Sequence, residues 1–236
     1  MTSSKTPRQR QATLPSRERL ICSAEQLFAE RGFNGVSVRD ITNAAKVNSA
    51  LLGYYFGSKE GLLAEVYTRH CEPLKQERLR LLHEFRARDG KLTLEDVLEA
   101  FLRPSLAASH QAHDGRSFSR LRAILSVENS SLLEKLVAQN FDEASSHFVD
   151  ELSQCLPHLS REDVLWRFHF LLGTIYYTAT GPHRIRTLSE GRCDPSDPEA
   201  TTAELVPFLA AGFRAPATRP AAAAAPRRRS AATRRP

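Results

Sequence analysis

The 236-residue chain contains no apolar run approaching the roughly 20 residues that cross a bilayer, and Met1 to Thr13 is rich in Ser, Arg and Gln without a hydrophobic segment. That argues against a membrane anchor and against a secretory signal, so a soluble protein with a cytoplasmic location is expected. The four cysteines, Cys22, Cys71, Cys155 and Cys193, lie far apart. No CxxC pair, Cys/His cluster or HExxH pattern supplies metal-ligand spacing, so no metal or cofactor is expected and the cysteines read as reduced structural thiols. Strict apolar/polar alternation is missing, and glycine and proline are too scattered for the turns of a sandwich or barrel. His169 and Trp166 have no nucleophile, acid or second ligand at useful spacing, so nothing reads as an enzyme signature.

What is present is a 3.6-residue periodicity along most of the chain, which predicts an all-α protein. Charge divides it in three. Residues 1–70 carry 10 Lys/Arg against 6 Asp/Glu, residues 71–213 carry 16 against 21, and residues 214–236 carry seven Arg and no acid. Basic ends attract polyphosphate by releasing its counterions, whereas the acidic middle argues against nucleic acid wrapping the whole molecule. Any DNA contact should therefore be terminal.

The first helix is expected from about Arg17 to Arg31, with Ser16 as its N-cap after Pro15, Leu20, Ile21, Ala24, Leu27 and Phe28 on one face, and Gly32 as its stop. Ser37-Val38-Arg39-Asp40 fits a capping box for a second helix over 38–45. After a Lys46-Val47 turn a third runs over 48–55, and Ser58 can cap a fourth. Further helical patterns occupy about 73–88, 93–109, 117–127, 130–155, 160–180 and 199–213, with breaks at Asp89-Gly90 and Gly191 to Pro198. The segment from Val164 to Ala179 is apolar on nearly every side, so either a subunit interface or an internal ligand cavity must cover part of it.

Two short helices joined by a tight turn, the second opening on small polar residues, can lay that second helix in a major groove about 12 Å wide. Here the chain resembles the TetR family of transcriptional regulators. Three blocks carry the likeness: Leu27-Phe28-Ala29-Glu30-Arg31-Gly32-Phe33, Val36-Ser37-Val38-Arg39-Asp40-Ile41, and Tyr54-Tyr55-Phe56-Gly57-Ser58-Lys59-Glu60-Gly61-Leu62-Leu63. The resemblance implies a disordered arm over 1–15, a three-helix helix-turn-helix DNA-binding domain over 16–62, a larger helical ligand-binding and dimerisation domain over 63–213, and a disordered basic tail over 214–236.

Candidate DNA-binding residues are Ser37, Arg39, Asn48, Ser49, Ala50, Gly53, Tyr54, Tyr55 and Lys59. Arg39 can reach phosphate or a guanine edge, Asn48 and Ser49 a base edge, the tyrosine hydroxyls a phosphate, and Lys59 a phosphate at the start of the fourth helix. Ile41, Val47, Leu52 and Phe56 read as a small core. Three positions depart from the family pattern: Lys46 stands where Gly is usual, Leu51 where Thr or Ser is common, and Gly53 where Tyr is frequent, so the operator sequence is not predictable.

Residues 165–173 and 205–212 are similar to the C-terminal domain of TetR regulators that respond to fatty acids or acyl-CoA thioesters. That likeness implies a small apolar effector, with Phe118, Arg122, Leu125, Phe141, His169, Phe170 and Tyr176 as candidate ligand-binding residues. The same aromatic supply would serve equally as a dry dimer core. The expected function is a ligand-responsive regulator, a repressor acting as a homodimer on a near-palindromic double-stranded operator, with no membrane partner. The competing reading is a non-specific nucleic-acid-binding or packaging protein driven by its Arg-rich tail.

Overall fold

The computed structural model describes residues 14–110, 118, 120–122, 124, 125, 131–180 and 182–217. Most of the arm expected over 1–15 and of the tail over 214–236 lies outside these. Among the described residues there is no strand, and no helix is long and apolar enough to cross a membrane.

Three short helices open the fold: α1 (Ser16–Arg31), α2 (Val38–Ala45) and α3 (Ala50–Phe56). Ser16 is the first residue of α1 and not its cap: Pro15 stands at the N-cap, and no side chain caps this end. Gly32 ends α1 at φ 73°, and its amide donates to the Phe28 carbonyl. The capping box at α2 forms as the sequence predicts: Ser37 Oγ accepts the Asp40 amide at 3.2 Å, and the Asp40 carboxylate accepts the Ser37 amide at 2.9 Å. That reciprocal pairing satisfies backbone donors that a helix start otherwise leaves open. Lys46 then turns the chain at φ 53°, the left-handed conformation that favours glycine.

Next comes α4 (Lys59–Asp89), one helix of 31 residues where the sequence suggests a break before residue 73. Pro73 removes one amide and crowds the carbonyl four residues back, at a cost of about 3 kcal/mol. The continuous stripe of Val66, Tyr67, Cys71, Leu74, Leu81, Leu82 and Phe85, all buried, offsets it, since a fully buried large apolar side chain is worth about 1.5–3 kcal/mol. The remaining helices are α5 (Leu94–His110), α6 (Ser131–Val137), a π-helical turn (Ala138–Asp142), α7 (Glu143–Cys155), α8 (Arg161–Thr180), the unanticipated short α9 (Pro182–Leu188) and α10 (Pro198–Arg214). Residues 118, 120–122, 124 and 125 are also helical.

Two apolar clusters hold the molecule together. One joins the C-terminal half of α4 to α5, α7, α8 and α10, with Phe101 edge-on to both Phe148 and Phe168. The other is built on α1, α2, the Leu52 side chain of α3 and the first half of α4, and it continues into Phe118, Leu121, Leu125 and Leu136. Arg17–Glu65 and Arg69–Glu18, each 2.6 Å apart, tie α1 to α4 around that second cluster.

Candidate functional site

The outer face of the first three helices is built by local chemistry. Asn48 Oδ1 accepts the Ala50 amide at 2.9 Å, so this exposed side chain starts α3. Ser49, Ala50 and Gly53 are exposed, and a side chain at Gly53 would meet open space. The third helix therefore presents a low, unobstructed outer surface. Tyr54 is 81% exposed, with its ring edge-on to Tyr55 at 5.1 Å. Arg39 is exposed on α2, and the structure gives it no ion pair among the described residues. Rigid rings with hydroxyl tips and a free guanidinium are groups that meet phosphates and base edges.

Two expected contacts are already engaged within the protein. Lys59 Nζ donates to the carbonyls of Phe33 at 3.0 Å and Val36 at 2.8 Å, and sits 4.0 Å from the centre of the Phe33 ring. This lysine clamps the loop between α1 and α2; it does not project toward solvent. Ser37 likewise spends its hydroxyl on Asp40, to which it donates at 2.5 Å, and that bond holds the Asp40 carboxyl below its usual value. Ser58 caps α4 through the Gly61 amide at 3.1 Å, and a Cβ at Gly61 would run into the Phe56 carbonyl, so the turn into α4 requires glycine. Lys46, exposed at the turn between α2 and α3, is a further basic group beside the reading surface. Its presence where glycine is usual was the signal.

The candidate effector residues separate into two groups. Phe118 and Leu125 are buried in the cluster that holds α1 and α4, where Phe118 stacks on His70 at 4.3 Å and meets Tyr67 edge-on at 5.4 Å. Arg122 donates to the Tyr176 hydroxyl at 2.9 Å and lies over the rings of Phe141 at 4.7 Å and Tyr176 at 5.0 Å. His169 and Phe170 are not brought to this group. They stand exposed on α8 beside Trp166, with ring centres 5.9–6.1 Å apart. Arg78, on the α4 stripe with Tyr67, Cys71 and Leu74, escaped sequence reasoning altogether. It is buried against Phe101, its guanidinium 3.6 Å from that ring's centre. No group of three or more His, Cys, Asp or Glu able to hold a metal occurs among the described residues.

A three-helix head set on a larger helical body is matched by two family descriptions. Residues 20–66 match "Bacterial regulatory proteins, tetR family", and residues 99–212 match "Tetracyclin repressor-like, C-terminal domain". The chain belongs to the TetR family. It is 26% identical to the HTH-type transcriptional repressor NicS of Pseudomonas putida, over 61% of this chain and 69% of that protein. With the HTH-type transcriptional repressor KstR2 of Rhodococcus jostii the identity is 32%, over 41% of this chain and 46% of that one. Across its curated relatives the chain spans from 28% to 69% of their lengths. Its fold also resembles that of FadR from Bacillus subtilis, solved in complex with stearoyl-CoA: TM-score 0.58, 19% identity, covering 83% of this chain and 98% of FadR. These families and relatives of the TetR-family chain are transcriptional regulators, not enzymes.

Proposed function

We propose that the protein is a repressor that binds a near-palindromic operator as a homodimer and is released by a small apolar effector of the fatty-acid or acyl-CoA class. The observation that carries this reading is the outer face of α8. Trp166, Phe170, Gly173 and Tyr177 recur at i, i+4, i+7 and i+11, and the three rings are 53%, 60% and 63% exposed. Phe208 on α10 is exposed as well. An apolar stripe of this kind on a soluble protomer calls for a partner, and the bare Gly173 admits close helix approach. A second copy would complete a bundle from α8 and α10 of both chains. Two α3 helices would then face two half-sites, with a spacing that an effector in the body can alter if it binds the two spacings unequally.

Footprinting across promoters near the protein's own gene, with and without fatty acids and acyl-CoA esters, tests this. Protection of one palindromic site that effector abolishes is the expected result, and absence of any protected site would remove the operator reading. Truncation after residue 214 separates the competing packaging role: a repressor keeps its preference for operator over random DNA, whereas a tail-driven binder loses affinity for both.

A further inference from the structure

Helix α9 (Pro182–Leu188) is seven residues long, and residues 184–188 are all exposed. Ile185 is 44% exposed and Leu188 72%; three positions apart, they share one face of the helix. A helix shorter than about 12–15 residues is marginal in water by itself and takes its stability from an apolar face packed against something else. The apolar face of α9 meets solvent in the single chain, so the ordinary source of its stability lies outside the protomer.

The turn that follows is costly in a second way. The Gly191 amide donates to the Arg186 carbonyl at 2.8 Å and the Glu190 amide to the Thr187 carbonyl at 3.3 Å, the paired closure of a Schellman helix stop. That stop puts one residue in the left-handed conformation, and here it is Glu190, at φ 54°, where glycine is favoured. A strained non-glycine backbone persists when its surroundings fix it. Ser189 Oγ accepts the Cys193 amide at 2.9 Å, and Arg186 lies 3.7 Å from Asp194, which gives the segment a definite shape. Yet residues 190–194 are as exposed as α9. A short apolar helix and a strained turn, adjacent and both in solvent, call for a covering surface.

Charge and position narrow the choice of that surface. Residues 182–197 carry three arginines and three acids, so they lack the positive excess that a nucleic-acid contact draws on. Arg186 pairs with Asp194 and Arg192 with Glu190, the latter at 3.6 Å, so covering the segment strands neither arginine without its acid. The segment also joins α8, whose exposed rings end at Tyr177, to α10, which exposes Phe208. Among the described residues α8 exposes eight and α10 nine, whereas a standard interface takes about 20–30 residues a side. A bundle of α8 and α10 alone falls short of that, and the surface adjoining both is α9 with its turn.

We propose that α9 and residues 189–194 form an arm that lies on a second copy of this chain, with Ile185 and Leu188 as its apolar contacts. The assignment rests on the homodimer reading above and extends it: two-fold symmetry gives each dimer two such arms, each covering the other protomer.

Sedimentation of the full chain, with the double variant Ile185→Ser/Leu188→Ser beside Trp166→Ala, tests this. The double variant should weaken the dimer at least about tenfold, since each substitution occurs twice in a symmetric interface. The protomer should keep its fold, because both side chains are already exposed. A second measurement uses Cys193, which is exposed on the arm. It is coupled to a photo-reactive maleimide in a mixture of isotope-labelled and unlabelled chains, with Cys193→Ser as the control. Cross-linked peptides that join a labelled to an unlabelled chain are expected. An unchanged dimer constant in the double variant, or attachment confined within one chain, would overturn the arm; loss of the dimer in Trp166→Ala alone would then leave the α8 interface standing. If the parent chain sediments as a monomer at every concentration, the homodimer reading itself falls, and the arm with it.

Discussion

The three-helix head and the larger helical body match different family descriptions but do not have separate cores. The body's cluster, around Phe101, Phe148 and Phe168, has no member from the first three helices. The head's cluster, by contrast, reaches past α4 to include Phe118, Leu121, Leu125 and Leu136, residues that sequence assigns to the body. His70, stacked on Phe118, also pairs with the buried Glu25 of α1 at 3.0 Å. The stretch that carries Arg122 is therefore packed into the head, and a change in its position must be felt by α1. The boundary between the two family matches and the packing boundary therefore differ, and the two parts share a core.

The strongest way to break this comparison is Phe118→Ala. Loss of a buried aromatic ring should cost about 3–5 kcal/mol, and hydrogen exchange should rise in α1 and α2. Phe148→Ala should cost a similar amount, yet raise exchange chiefly in α5 and α7. If Phe118→Ala leaves exchange in α1 unchanged, the head is not anchored to that stretch. Next in size is Trp166→Ala. A ring at the centre of a homodimer interface contributes about 2 kcal/mol or more to association, whereas this one is half exposed in the protomer. Sedimentation should show a dimer weakened about 30-fold, with the protomer's own stability little altered. An unchanged dimer would move the interface elsewhere.

Within the head, Arg39 and Lys59 form a contrast of their own. Arg39→Ala should cost about 1–3 kcal/mol of operator binding and leave folding intact, since the side chain is exposed. Lys59→Met should do the reverse. It removes the donor to two loop carbonyls, so the melting temperature falls while the slope of log affinity against log salt stays that of the parent. A reduced salt slope for Lys59→Met would show that this lysine reaches phosphate after all.

What could be read from sequence was what local chemistry decides. The Ser37–Asp40 box, the Gly32 stop, the Ser58 cap and the strained Lys46 turn each depend on residues within four positions of one another, and all four form. The features that stayed hidden depend on distant partners. Lys59 looks like a free cation at a helix start until the loop 23 and 26 residues earlier folds back onto it. Arg78 falls where an amphipathic pattern predicts an apolar residue or a solvated charge, and α5, distant in sequence, supplies its acceptors. The effector candidates on α8 divided because periodicity places them on one helix without saying what each end of that helix meets: Tyr176 reaches Arg122, whereas His169 and Phe170 meet solvent.

The smallest expected effect isolates Lys46, where the head departs from its family's pattern and where stability and recognition pull in opposite directions. A non-glycine residue in the left-handed conformation costs about 1–2 kcal/mol, and Lys46 adopts it at φ 53°. Lys46→Gly removes that strain but gives the unfolded chain extra freedom worth about 0.4–1 kcal/mol, so a net gain of about 0.5–1 kcal/mol should appear in chemical denaturation. If the exposed ammonium lies against a phosphate in the complex, the same variant should lose close to one unit of salt slope in operator binding. Gain in stability with loss of slope would mean that the head keeps a strained turn for its charge. Gain in both stability and affinity would mean that the strain serves no contact with DNA.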